Sequence, residues 1–128
     1  MKALLLVLAT LALGRPAGPP VRDWVFLGQR AVTDRVDHDI IGVTGRRGNF
    51  RAIKLTVERA AVDFHRVVVF YGNGDKQEIE LRHTIPAGGE SRAIDLSGSE
   101  RVINRVEFWY DARTFRGRRA VVRLYGLE

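Results

Sequence analysis

The chain has 128 residues, enough for one domain with its own hydrophobic core and too few for two domains of ordinary size. It contains no cysteine, which excludes disulfides, thiolate zinc sites and cysteine nucleophiles. The formal net charge of +6 comes mainly from arginine and fits two explanations, anionic partners or a codon preference for arginine.

Residues 1–14 have the pattern of a secretory signal peptide. Lys2 precedes an apolar run that is too short to span a bilayer, and small residues stand at the two positions that a signal peptidase recognises. We expect cleavage after Gly14, followed by a disordered leader over 15–22 and one domain over 23–128. A helix belonging to the domain is the alternative, but glycines and prolines interrupt that pattern at once. The sequence therefore predicts an exported protein, periplasmic or extracellular.

Export narrows the set of partners. Nucleic acid is the anion that an exported protein is least expected to meet, so we expect none to bind. The candidate partners are an envelope glycan, an anionic lipid surface or another envelope protein. A lipoprotein anchor is not expected, because no cysteine follows the apolar run.

Short runs of β-branched and aromatic residues alternate with turn-forming clusters along the rest of the chain, a pattern typical of a sandwich or barrel of short strands. Strands are expected at 24–32, 39–43, 50–57, 66–71, 77–85, 92–96, 102–110 and 119–125. About eight antiparallel strands fit two packed sheets, so the sequence predicts an all-β, jelly-roll-like sandwich.

Two of these runs show the clearest alternation of apolar and polar residues. In 50–57, Ile53, Leu55 and Val57 share one face. In 77–85 the predicted core face consists of Ile79, Leu81, His83 and Ile85. Core and solvent faces are therefore assigned for both strands.

The run 66–71 is apolar on both faces, which predicts a central strand. Asn73 and Gly74 follow it directly, and Asn-Gly between two strands is a strong hairpin signal because the turn needs positive φ at its central residues. We therefore expect 66–71 to pair antiparallel with 77–85.

The order of these landmarks resembles that of a known family. The landmarks are Trp24 to Gly28, Asp37 to Ile40, Phe50 to Leu55, Val69 to Gly72, Ile85 to Gly88, Ser91 to Leu96, Arg101 to Ile103, Val106 to Phe108 and Ala120 to Gly126. The series resembles small exported bacterial proteins of the domain-of-unknown-function family 2541. The resemblance implies an exported β-rich domain of unassigned activity and supplies no catalytic or binding residues.

The densest polar cluster lies in 34–39. Its carboxylates Asp34, Asp37 and Asp39 are candidate ligands for a structural Ca²⁺, a hard cation that prefers several oxygen ligands. The spacing does not match an EF-hand. We favour the alternative, in which Asp37 and Asp39 cap a turn and pair with Arg35 or another nearby arginine, so no cofactor is expected.

A polar surface is predicted near the C-terminus. Alternation in 105–110 directs Arg105, Glu107 and Trp109 outward. The loop that follows adds Arg113 and Arg116. An outward tryptophan among charges is able to stack on a sugar ring or to anchor a protein partner. The alternative, which we favour, is that the loop covers Trp109 and the arginines are solvated.

These patterns favour a non-enzymatic binding or structural module of the cell envelope. One alternative is a carbohydrate-binding module that uses an exposed face around Trp109. A second alternative is an envelope hydrolase that uses the acids of 34–39 together with His38 or His65. Catalysis is the less favoured class, because neighbours along an extended chain point to opposite faces and make poor catalytic partners.

Overall fold

The computed structural model describes residues 23–32, 38–43, 48–98, 100–112 and 119–128. The predicted signal peptide 1–14 and leader 15–22 lie outside the described residues. Across the described ranges the chain forms strands, turns and irregular segments. In this part of the chain there is no helix long and apolar enough to cross a membrane.

The described residues form nine strands in two antiparallel sheets, which confirms the predicted all-β sandwich. The strands are β1 (Trp24–Val32), β2 (His38–Gly42), β3 (Ala52–Glu58), β4 (Val62–Tyr71), β5 (Lys76–Ile79), β6 (His83–Ile85), β7 (Ile94–Asp95), β8 (Ile103–Ala112) and β9 (Ala120–Leu127). Sheet A has the order β1-β9-β3-β7, and sheet B has the order β2-β8-β4-β5, with β6 also paired to β4.

The core lies between the two sheets, as the alternating patterns require. In β3, Ile53, Leu55 and Val57 are fully buried, which confirms their assignment to the core face. In β8 the buried residues include Phe108 and Tyr110. Each large apolar side chain moved from water into this layer contributes about 1.5–3 kcal/mol, so a cysteine-free chain of this size can be held by packing alone.

The inner face of sheet A is closely packed at Gly126. A Cβ atom there would lie 2.7 Å from Phe50 Cδ1 and 2.9 Å from Leu27 Cδ1, well inside van der Waals contact. Glycine at this position lets both neighbouring side chains pack against the backbone of β9.

Strand β4 is central, as the apolar run predicts, although it begins four residues earlier. It pairs with β8 on one side and with β5 and β6 on the other. The hairpin is confirmed, because Val67 pairs with Ile79 and Phe70 with Lys76. The turn differs in detail: Gly74 has a φ of 96°, whereas Asn73 does not have positive φ. One glycine in the left-handed region therefore suffices for this loop.

The prediction of one strand over 77–85 is wrong, because the ladder is interrupted between β5 and β6. Ile79, Leu81 and Ile85 are buried as expected, but His83 is exposed, so its assignment to the core face is also wrong. His83 begins a three-residue strand whose only described partner strand is β4. Water therefore reaches its side chain from the open edge.

A polar link joins the two sheets at one edge. The Gln77 side chain of β5 accepts a hydrogen bond from Ser97 N at 2.8 Å and donates one to the backbone oxygen of Asp95 at 3.3 Å. The Tyr71 hydroxyl donates to the same Gln77 side-chain oxygen. The short strand β7 is thereby held in a fixed position against sheet B.

Candidate functional site

The predicted outward surface of β8 is present on the outer face of sheet B. Val106, Phe108 and Tyr110 are fully buried, whereas the alternate residues of β8 point outward, as expected. Neighbouring strands complete the surface, since His38 of β2 and Arg66 of β4 both stand opposite Trp109 in the ladders. We call the set His38, Arg66, Arg105, Glu107 and Trp109 the Trp109 face.

Trp109 is held between two side chains. The His38 ring stacks on the indole with a centroid distance of 4.4 Å and an angle of 14° between the planes. The Arg66 guanidinium carbon lies 4.5 Å from the indole centroid. Because β2 and β4 flank β8 on opposite sides, both ring faces are covered. Trp109 therefore presents its edge, and no described residue forms a hydrogen bond with its N–H.

Glu107 connects His38 and Arg105 within this face. Its Oε1 lies 3.0 Å from His38 Nε2, and its Oε2 accepts a hydrogen bond of 2.8 Å from Arg105 Nε. The Arg105 hydrogen bond lowers the pKa of the Glu107 carboxyl below its ordinary value, against the raising effect of burial, and His38 lowers it further. Glu107 is therefore ionised at neutral pH, and each of its two carboxylate oxygens has a hydrogen-bond partner.

Ion pairs and apolar side chains surround these groups. Glu78 accepts two hydrogen bonds from Arg66, at 2.8 and 3.3 Å. The Arg105 guanidinium lies 3.7 Å from the centroid of Phe70. Ile40, opposite Glu107 in the ladder, is 40% exposed. The surface therefore combines an exposed apolar residue with paired charges.

The acid cluster of 34–39 is divided by the structure. Asp34 and Asp37 lie outside the described residues. Asp39 lies on the opposite face of β2 from His38, where Oδ1 accepts from Arg30 Nε at 3.0 Å and Oδ2 accepts from the Tyr110 hydroxyl at 2.8 Å. Pairing with a nearby arginine is thus observed for Asp39, and the partner is Arg30. The described part of the chain contains no group of three acidic or histidine residues able to hold a metal.

The basic residues predicted to join the site, Arg113 and Arg116, also lie outside the described residues. The described residues carry ten arginines and two lysines against thirteen carboxylates, a net charge of −1. The positive excess of the chain therefore belongs to segments such as 113–118 and 44–47.

The sequence patterns did not reveal the partners of Trp109 or a second aromatic surface. On the outer side of sheet A, Trp24 and Phe26 of β1 lie near Tyr125 of β9 and Lys54 of β3. We call these four residues the Trp24 face. The run from Trp24 to Leu27 is apolar throughout, so alternation could not assign its outer side, and the contributions of the other two strands depend on long-range pairing.

Comparison with known proteins identifies a family and a similar fold. The family model described as "Domain of unknown function (DUF2541)" matches residues 3–126. Among solved structures, AlgX of Pseudomonas aeruginosa superposes with a TM-score of 0.52 at 13% identity, over 80% of this chain. This chain spans only 26% of the AlgX chain, so the likeness concerns the fold alone. No curated protein sequence matches significantly.

Proposed function

We propose that this chain, which belongs to the DUF2541 family, is an exported, non-enzymatic binding module of the cell envelope, and that the Trp109 face is its contact surface. The observation that carries the proposal is the fixed arrangement of His38, Trp109, Arg66, Glu107 and Arg105 across three neighbouring strands. Export is supported by the signal-like segment at the start of the chain.

A rigid surface favours binding because little side-chain freedom is lost when a partner docks. Arg66 is held by Glu78 and the indole, and Arg105 is held by Glu107 and Phe70. Long charged side chains that are already ordered reduce the entropic cost of association. Tryptophan and arginine are also the residues most often found at the energetic centres of interfaces.

The geometry favours a protein partner among the envelope candidates. The outer face of an antiparallel sheet is broad, and here a half-buried indole and the exposed Ile40 lie within a charged surround. A sugar ring stacking on Trp109 would have to displace His38 or Arg66. Glycan binding by stacking therefore remains a prediction that this arrangement does not favour.

The hydrolase hypothesis receives no support from the part of the acid cluster that is described. Both carboxylate oxygens of Asp39 already accept hydrogen bonds, from Arg30 and Tyr110. A general acid or base must reach the substrate proton directly. Asp39 instead links the two sheets through these two hydrogen bonds.

Photo-crosslinking in intact cells tests the proposal. A photoreactive residue replaces Ile40 within the Trp109 face, and a matched variant carries it at Val102, which is 50% exposed elsewhere. We expect a discrete crosslinked envelope protein from position 40 only, and loss of that product when Trp109→Ala is added. Equal products from both positions, or a product insensitive to Trp109→Ala in a folded protein, would contradict the proposal.

A further inference from the structure

Arg51 differs from the paired arginines of the sandwich. Its backbone N–H donates to Leu127 O at 2.8 Å and its carbonyl accepts from Leu96 N at 2.9 Å, which fixes it between β9 and the end of β7. Its side-chain Nε is buried, yet no hydrogen-bond partner reaches it. Arg66 and Arg123, by contrast, each pair with a glutamate.

An unpartnered buried guanidinium N–H calls for an explanation, because desolvating a charged donor without an acceptor is costly. Nearly all buried polar groups in native proteins have a partner. Within the described ranges no carboxylate forms an ion pair with Arg51. The described residues therefore leave this N–H without an acceptor, and a group outside them has to supply one.

An open depression of about 300 Å³ lies beside this arginine. Its walls include Ala52, Ala93, Leu96 and Leu127, which makes the lining largely apolar, and Asp95 is its acidic member. This volume is at the lower end of the range for small-molecule sites. It suits a small ligand that combines one acceptor group with an apolar portion.

We propose that this depression binds the carboxylate of a ligand that carries a small apolar substituent, with Arg51 as the donor. Arginine presents its N–H groups in a fork that matches a carboxylate. The nearby charge of Asp95 disfavours a phosphate dianion, since a doubly charged ligand would be repelled more strongly. The site uses sheet A and is independent of the Trp109 face.

Two kinds of ligand share this chemistry, a free short-chain acid and the C-terminus of a peptide. The test follows the Arg51 Nε–H signal by ¹⁵N NMR in the folded protein during titration with butyrate, with acetyl-Ala-Ala, with acetyl-Ala-Ala amide and with inorganic phosphate. We expect saturable shifts with a carboxylate ligand, with a Kd on the order of 1 mM. Preference for butyrate or for the free peptide identifies the source, and the amide and phosphate should bind at least tenfold more weakly.

Three variants sharpen the test. Arg51→Gln should weaken binding at least tenfold, whereas Arg82→Gln, which removes an exposed cation elsewhere, should leave it unchanged. Asp95→Asn should tighten carboxylate binding severalfold, because it removes a charge of the same sign as the ligand. This variant keeps Arg51, so it still tests the proposal if Arg51→Gln fails to fold. Shifts that rise linearly with every anion, or a carboxylate affinity unaffected by both Arg51→Gln and Asp95→Asn, would overturn the proposal.

Discussion

The two outer faces of the sandwich each carry one tryptophan next to a cation, but they expose it differently. Trp109 lies on β8, between β2 and β4, and has His38 on one ring face and Arg66 on the other. Trp24 lies on the edge strand β1, which pairs with β9 alone, and its cation is Lys54, 4.6 Å from the indole centroid.

This difference shows that strand position decides how a surface aromatic is presented. A residue in a central strand has cross-strand neighbours on both sides, whereas a residue in an edge strand has them on one side. The Trp24 face is accordingly more open: Phe26 is 48% exposed and meets Tyr125 edge to face at 5.7 Å. The two tryptophans also provide one fluorescence reporter for each sheet.

The largest expected effect comes from Gly126→Ala, which asks whether the two faces share one cooperative scaffold. The added methyl group would collide with Phe50 and Leu27 in the inner layer of sheet A. We expect destabilisation of about 1–3 kcal/mol, typical of overpacking a close-packed core. Urea unfolding is followed separately in Trp24→Phe and Trp109→Phe backgrounds, and both reporters should show the same loss.

If Gly126→Ala lowered the free energy of unfolding reported by Trp24 but not that reported by Trp109, the two sheets would unfold independently. The two faces would then not share one cooperative scaffold. Gly72→Ala serves as the matched control. A Cβ there meets the exposed side chain of Val102 at 3.1 Å, which can move aside. Its effect should therefore be a small fraction of that of Gly126→Ala.

Local periodicity was sufficient to predict the sandwich and the outward direction of Trp109. Alternation along β3 assigned Ile53, Leu55 and Val57 to the core because a pleated strand buried on one face permits only one register. The bounds of β1 agree with the prediction of 24–32. These features depend on residues close together in the chain.

Cross-strand partners were beyond the reach of the sequence. His38 and Glu107 are 69 residues apart, and only the β2–β8 ladder brings them together. His83 fits the period of its neighbours, but burial depends on cover from other strands, which an edge position does not supply. Arg66 was likewise not assigned to the Trp109 face, because only the β4–β8 ladder brings it opposite Trp109.

Double-mutant cycles measure the two cation–aromatic contacts directly. The pairs are Arg66 with Trp109 and Lys54 with Trp24, at 4.5 and 4.6 Å. We expect a coupling energy of about 1 kcal/mol for the first pair and about 0.5 kcal/mol for the second, because Trp109 is shielded on both faces and a planar guanidinium stacks better than an ammonium. Urea unfolding of the single and double variants supplies both values.

Arg66→Lys is the control for that cycle, since it keeps the charge and removes the planar group. It should lose most of the coupling with Trp109 while retaining a charge near Glu78. Equal coupling energies for the two faces would show that strand position does not affect the strength of the contact.

The smallest expected effect concerns Glu107 of the Trp109 face and Glu90, which pairs with Lys54 of the Trp24 face. Glu107 bonds Arg105 and His38 and its side chain is 14% exposed, whereas Glu90 pairs with Lys54 and is 55% exposed. At pH 7, Glu107→Gln should cost about 0.5–1 kcal/mol and Glu90→Gln about 0–0.5 kcal/mol. Urea unfolding in low salt compares the two variants.

The Glu107 contribution should also depend on pH with a defined sign. The folded pKa is lowered from 4.5, so its stabilising effect is fully present above 4.5 and is lost as pH falls through the lower folded pKa. The stability difference between the wild type and Glu107→Gln should therefore shrink below pH 4.5. NMR titration of the Glu107 side-chain carboxyl checks the cause: Arg105→Gln should move its pKa back toward 4.5, because the Arg105 hydrogen bond lowers it most. An unchanged pKa in that variant would assign the effect to His38 instead.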